Sequence, residues 1–156
     1  MPQPDTPFDN SRIEALPPLR ELVAALDMRA RKSLGQNFLF DLNLTRRIAS
    51  SAGKLDGTTI EVGPGPGGLT RALLLEGAAH VIAIEKDFRA GSVLSSLIHA
   101  ADGRLELVEA DALKTNLWEI GTDPRRIVAN LPYNIATSLL IQWLEHASAF
   151  DTLTLM

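Results

Sequence analysis

The sequence predicts an α/β protein with a Rossmann-like, doubly wound and mostly parallel sheet, and three observations carry that expectation. From residue 58 onward, short β-branched runs alternate with longer helical patterns, the order that produces a parallel sheet with helices on both faces. The first run leads into Gly63-Pro64-Gly65-Pro66-Gly67-Gly68, a turn in which the backbone can bend sharply and approach a ligand. The second run ends in an acid, Glu85, about 20 residues past the first glycine, where doubly wound folds place a ribose acceptor.

Taken in order, residues 1–16 show no sustained period and are expected to form a flexible tail. Pro17-Pro18 opens a helix through about Asp27, with Leu19, Leu22, Val23 and Leu26 on one face. The stretch 31–40 has no clear period. Asp41 is a good N-cap for a helix carrying Leu42, Leu44, Ile48 and Ala49, which Gly53 ends. Residues 17–53 therefore read as N-terminal helices with an irregular segment between them.

Residues 54–156 read as the core. Strands are expected at 58–62, 81–84, 105–108 and 127–129, with a fifth beginning at 153. Between them fall a helix at 67–75 closed by Gly77, one capped by Asp87 and running towards Ala100, a short one near Trp118, and one at 138–146. Right-handed crossovers then bring every strand's carboxyl end to one edge of the sheet.

Composition bounds the function. A hydrophobic fraction of 46% and a charged fraction of 22% fit one soluble globular domain. There is no cysteine, and the three histidines lack ligand spacing, so no metal site is expected. No apolar run is long enough for a membrane span, and no secretory leader is recognisable; a cytoplasmic location is expected. The net charge of −4 sits poorly with nucleic-acid binding, which leans on phosphate contacts. Between residues 28 and 47, however, Arg29, Arg31, Lys32, Arg46 and Arg47 face only one acid, Asp41. From charge alone a solvated helix face explains that cluster better than an RNA surface does.

The chemistry gathers at four strand ends. Gly63, Gly65 and Gly68 satisfy the dinucleotide fingerprint, which serves nicotinamide cofactors and S-adenosylmethionine alike. Glu85, followed by Lys86, can accept hydrogen bonds from ribose hydroxyls. Asp111, next to Ala112, can accept from an adenine amine or cap a following helix. The fourth end, Asn130-Leu131-Pro132-Tyr133, separates the cofactors. An adenine N6 is a poor nucleophile until its lone pair is turned out of the ring plane. An amide oxygen and a backbone carbonyl can hold it so, proline stiffens the loop, and tyrosine offers a stacking face to a flipped-out base.

Together with Lys32-Ser33-Leu34-Gly35-Gln36-Asn37-Phe38-Leu39, these motifs resemble the ribosomal RNA adenine N6,N6-dimethyltransferase family from about Arg29 to Met156. The resemblance implies an S-adenosylmethionine-dependent methyltransferase fold, with S-adenosylhomocysteine as product. It implies that the 17–53 region covers the cofactor, with Gln36, Asn37 and Leu39 near it. Gly63 and Gly65 would lie by its methionine part, Glu85 and Lys86 by the ribose, and Asp111 and Ala112 by the adenine. Asn130 would lie between cofactor and target amine, with Leu131 or Pro132 lending a carbonyl and Tyr133 stacking. It further implies ribosomal RNA in an immature small subunit as partner, with no obligate protein partner. Against the family pattern the chain is expected to stop within the fifth strand, without the small C-terminal helical domain. The erythromycin-resistance type acting on large-subunit RNA shares these motifs. A nicotinamide-dependent oxidoreductase and a non-catalytic ribosome-assembly factor are the alternatives from other classes.

Overall fold

A computed structural model describes residues 8–25 and 39–156. In chain order its elements begin with three helices, α1 (Ser11–Glu14), α2 (Leu19–Ala25) and α3 (Leu42–Ser51). There follow β1 (Thr58–Val62), α4 (Gly68–Leu75), β2 (Val81–Glu85), α5 (Ala90–Ala100) and β3 (Leu105–Glu109). Two 3₁₀ turns then lead to β4 (Arg125–Ala129), α6 (Ala136–Leu144) and β5 (Thr152–Leu155).

The sheet order is β3-β2-β1-β4-β5, and every pairing is parallel. The chain winds outward from β1 to β3, then crosses back to place β4 beside β1. That reversal is the topological switch point, where neighbouring connections leave in opposite directions and open a crevice at the strand ends. Strand registry aligns Leu153, Ile127, Ile60 and Ile82 in one row across the sheet.

Alternation along the strands divides the interior into two layers. Val81, Ala83, Leu105 and Val128 face α1, α3, α4 and α5, where Leu69, Leu73, Leu94 and Leu97 complete one cluster. Ile60, Val62, Ile82, Ile84 and Ile127 face the other side, against Leu117, Leu139 and Trp143. The nearly continuous apolar run of β2, Val-Ile-Ala-Ile before Glu85, follows from burial on both faces.

Three local expectations need correction. Residues 8–16 are not a loose tail: Ile13 in α1 is 1% exposed and joins the first cluster. Phe8 lies 3.9 Å from the Arg104 guanidinium, and the Asn10 side-chain oxygen accepts a 3.0 Å bond from the same group. A four-residue helix with Ile13 between Arg12 and Glu14 is too short to show a period, and only long-range packing reveals its burial. Asp87 does not sit at the N-cap of α5, which begins at Ala90 after Arg89. It organises the preceding turn instead, accepting the Arg89 backbone N–H at 3.0 Å. The last long helix starts at Ala136, ahead of the expected residue 138. Asp41 does cap α3, accepting from the backbone N–H groups of Asn43 and Leu44.

Candidate active site at the strand ends

The glycine turn leaves β1 with positive φ at Gly63 (71°), Gly65 (53°) and Gly67 (93°), a region that residues with a Cβ enter only at a cost. At Gly67 a Cβ would also lie 2.7 Å from Leu94. The turn is anchored to the next strand: the Gly65 N–H donates to Glu85 Oε2 at 3.2 Å, and the Asp87 N–H donates to Glu85 Oε1 at 3.0 Å. Glu85 is 6% exposed. Burial pushes its carboxyl pKa up, against the backbone donors that pull it down. Its carboxylate is thus held in one orientation, with lone pairs left over on both oxygens.

Glu85 borders a cavity of about 280 Å³. Val62, Ile84, Ala110, Ala112 and Leu113 make much of its wall apolar, and Lys86, Asp111 and Asn134 bring polar groups to it. Asp111 caps the 3₁₀ turn that follows it. One carboxylate oxygen accepts the Leu113 N–H at 3.0 Å, and the other lies 3.6 Å from Lys86 Nζ.

A smaller cavity of about 30 Å³ adjoins, bordered by Leu39, Gly65, Gly68 and Asn130. Gly63 borders both cavities. Across from it, a Cβ on Gly63 would lie 3.8 Å from the Pro132 ring, so the turn after β4 packs directly on the glycine turn. Within that turn Asn130 is half-buried, Leu131 is buried, and Tyr133 is 76% exposed. The Pro132 carbonyl accepts N–H bonds from Ile135 (3.2 Å) and Ala136 (3.1 Å), which ties it to the start of α6. Among the described residues no backbone N–H donates to the Leu131 carbonyl, in contrast to that of Pro132.

Residues 27–156 match the family described as ribosomal RNA adenine dimethylase. The chain belongs to this family. It is 60% identical to the ribosomal RNA small subunit methyltransferase A of Rhodospirillum rubrum over 92% of this chain and 50% of that one. Among solved structures, 23S rRNA methyltransferase ErmE is 36% identical with a TM-score of 0.64, covering 76% of this chain and 47% of that one. A dimethyladenosine transferase from Plasmodium falciparum is 29% identical with a TM-score of 0.61, covering 75% and 42%. The chain spans about half the length of the curated relatives it matches.

For this dimethylase-family chain, the structure brings Gly63, Glu85, Lys86, Asp111, Ala112 and Pro132 to the larger cavity, and Leu39, Gly63, Gly65 and Asn130 to the smaller one. Gln36 and Asn37, with the whole 29–38 segment, lie outside the described residues. Of the basic cluster, Arg46 is engaged by Glu76 at 2.7 Å, while Arg47 is exposed. Among the described residues no group of three or more potential metal ligands is present, and no helix is long and apolar enough to cross a membrane.

One residue escaped the sequence reading. Glu61 is 2% exposed on the α4 side of the sheet and borders the smaller cavity. Its Oε2 accepts a 2.5 Å bond from the Thr70 hydroxyl. Burial pushes its carboxyl up to about 8, reinforced by the nearby Glu85 charge and opposed by Thr70. The available signal was an acid inside the buried strand Thr-Thr-Ile-Glu-Val, a placement that is rare without a reason.

Proposed function

We propose that this chain forms the cofactor- and base-binding part of an enzyme that transfers methyl groups from S-adenosylmethionine to adenosine N6 in ribosomal RNA, twice on each adenosine. The observation that carries the reading is the packing of Asn130-Leu131-Pro132-Tyr133 on the glycine turn at Gly63, where the two cavities meet.

The residues present fit the cofactor. The larger cavity has an apolar wall for a base, Asp111 for its amine, and the fixed Glu85 carboxylate for ribose hydroxyls. The smaller cavity, with Glu61, Leu39 and the glycine backbone, suits the methionine end. When bound, the cofactor supplies an electrophilic methyl on a sulfonium.

The chain's own groups prepare the nucleophile. The Asn130 side-chain oxygen accepts one N6–H and the Leu131 carbonyl accepts the other, turning the lone pair out of the ring plane. The Pro132 carbonyl is already engaged and serves the turn. Tyr133 presents an exposed ring for the target base to stack upon. Neither an amide nor a phenol takes a proton at neutral pH, so the proton released from N6 passes to water. Orientation and fixed dipoles then supply most of the acceleration.

Small-subunit RNA is the favoured substrate, at two adjacent adenosines in a hairpin near its 3′ end, within immature cytoplasmic subunits. The 60% identity to a small-subunit enzyme, against 36% to a 23S enzyme, supports that choice over the erythromycin-resistance type. Family membership and the base-holding turn speak against a nicotinamide enzyme, and the complete motif set speaks against a purely structural assembly factor. The deciding experiment is labelled methyl transfer to immature small subunits, mapped on the RNA. Label on two neighbouring adenosines of the small-subunit RNA is the expected result, and label confined to large-subunit RNA would overturn the assignment.

A further inference from the structure

Phe88 is 79% exposed, the highest value among the large apolar side chains described. It belongs to neither core cluster, so the fold does not use its ring. Yet it borders the larger cavity, and it is the only aromatic side chain there among the described residues.

Its backbone is held on both sides. Before it, the Asp87 N–H donates to Glu85 Oε1 at 3.0 Å. After it, the Arg89 N–H and guanidinium both bind the Asp87 carboxylate, the closest contact being 2.6 Å. The Ala90 N–H donates to the Asp87 carbonyl at 3.0 Å. Phe88 therefore stands on a turn tied to the same carboxylate that is proposed to hold the ribose, while its own ring is exposed.

The rest of the cavity wall explains what such a ring is for. Ala110 and Ala112 are small, Ile84 and Leu113 are apolar, and Asp111 supplies a polar edge. These groups offer one face and one edge to a flat heterocycle and leave the solvent side uncovered. A planar base in water-exposed surroundings gains most from a second flat partner.

We infer that Phe88 closes over the adenine of the bound cofactor as its outer stacking face, making it a further cofactor-binding and specificity-determining residue. The inference rests on the S-adenosylmethionine reading above. It predicts that the cavity discriminates for a flat aromatic base through Phe88, and for its amine through Asp111.

The test uses S-adenosylhomocysteine as the probe, with calorimetry on the wild-type chain, Phe88→Ala and Phe88→Trp. Because the ring is exposed, Phe88→Ala should keep the wild-type circular dichroism and melting midpoint. Its affinity for the probe should fall about 5- to 150-fold, the range expected for one lost base stack. Phe88→Trp should bind like wild type, and its indole emission should be quenched as the probe saturates. The native tryptophans give a steady baseline, since Trp143 is buried and Trp118 is stacked on His146 at 3.7 Å. Unchanged affinity in Phe88→Ala, or an unresponsive indole in Phe88→Trp, overturns the inference. So does a Phe88→Ala variant that binds the probe normally but loses RNA affinity, because the ring then serves the RNA. If the wild-type chain binds no probe at all, the cofactor reading itself falls; if wild type and Phe88→Ala bind equally, only the role of Phe88 does.

Discussion

Glu85 and Glu61 lie on neighbouring strands and do different work. Glu85 is fixed by two backbone N–H groups at the cavity edge, so Glu85→Ala should remove charge-assisted bonds to the ribose. The expected loss in S-adenosylmethionine affinity is about 1.5–3 kcal/mol, read by calorimetry. Asn130→Ala should act on the reaction instead, abolishing methyl transfer while sparing most of the cofactor affinity; a variant that dimethylates at the native rate would refute the placement of the target amine. Glu61 makes a pH prediction. Its folded-state pKa of about 8 exceeds the ordinary value of 4.5, so the folded state holds a proton that the unfolded state releases. Stability therefore falls as pH rises from 4.5 to 8 and levels off above that. Glu61→Gln keeps the neutral form at every pH, and melting curves across that window should be flatter than those of the wild type.

Among the elements, α3 illustrates a boundary written into the local sequence. Asp41 accepts the Asn43 and Leu44 N–H groups at 2.9 and 3.3 Å, and Arg46 on the same helix reaches Glu76 beyond the end of α4. Asp41→Ala should cost about 0.5–2 kcal/mol in urea unfolding, through the cap alone. The start of α5 shows the reverse case. Its Asp87 has the right chemistry for a cap and is used one turn earlier, because Glu85 and Arg89 compete for the same short loop. The turn after β4 is shaped by the start of α6, where the Ile135 and Ala136 N–H groups bind the Pro132 carbonyl.

At the scale of the whole molecule, the sheet separates two apolar layers. Ile60 belongs to one and Leu73 to the other, and both are fully buried. Leu73→Ala should cost about 2–5 kcal/mol and Ile60→Val about 0.5–1.5 kcal/mol. Their cavities open on opposite faces of the sheet, so the double variant should lose the sum within about 0.5 kcal/mol. A large departure in denaturant unfolding would mean that strain passes through the sheet. The same two-layer plan sets the crevice, since β1 and β4 lie side by side while their following helices, α4 and α6, leave to opposite faces.

The sequence by itself determined the alternation of strands and helices, the parallel sheet, the glycine turn and the four strand ends that line the cavities. Those features are local: side-chain period, glycine at positive φ and capping residues act within a few positions of themselves. Tertiary structure alone decided the rest. Ile13 became core, Glu61 became a buried acid bonded to Thr70, Phe88 came to border the larger cavity, and Pro132 came to rest on Gly63, 69 positions earlier in the chain. Each of these depends on which distant groups exclude water from one another, and burial of that kind is a property of the packed sheet rather than of any segment in it.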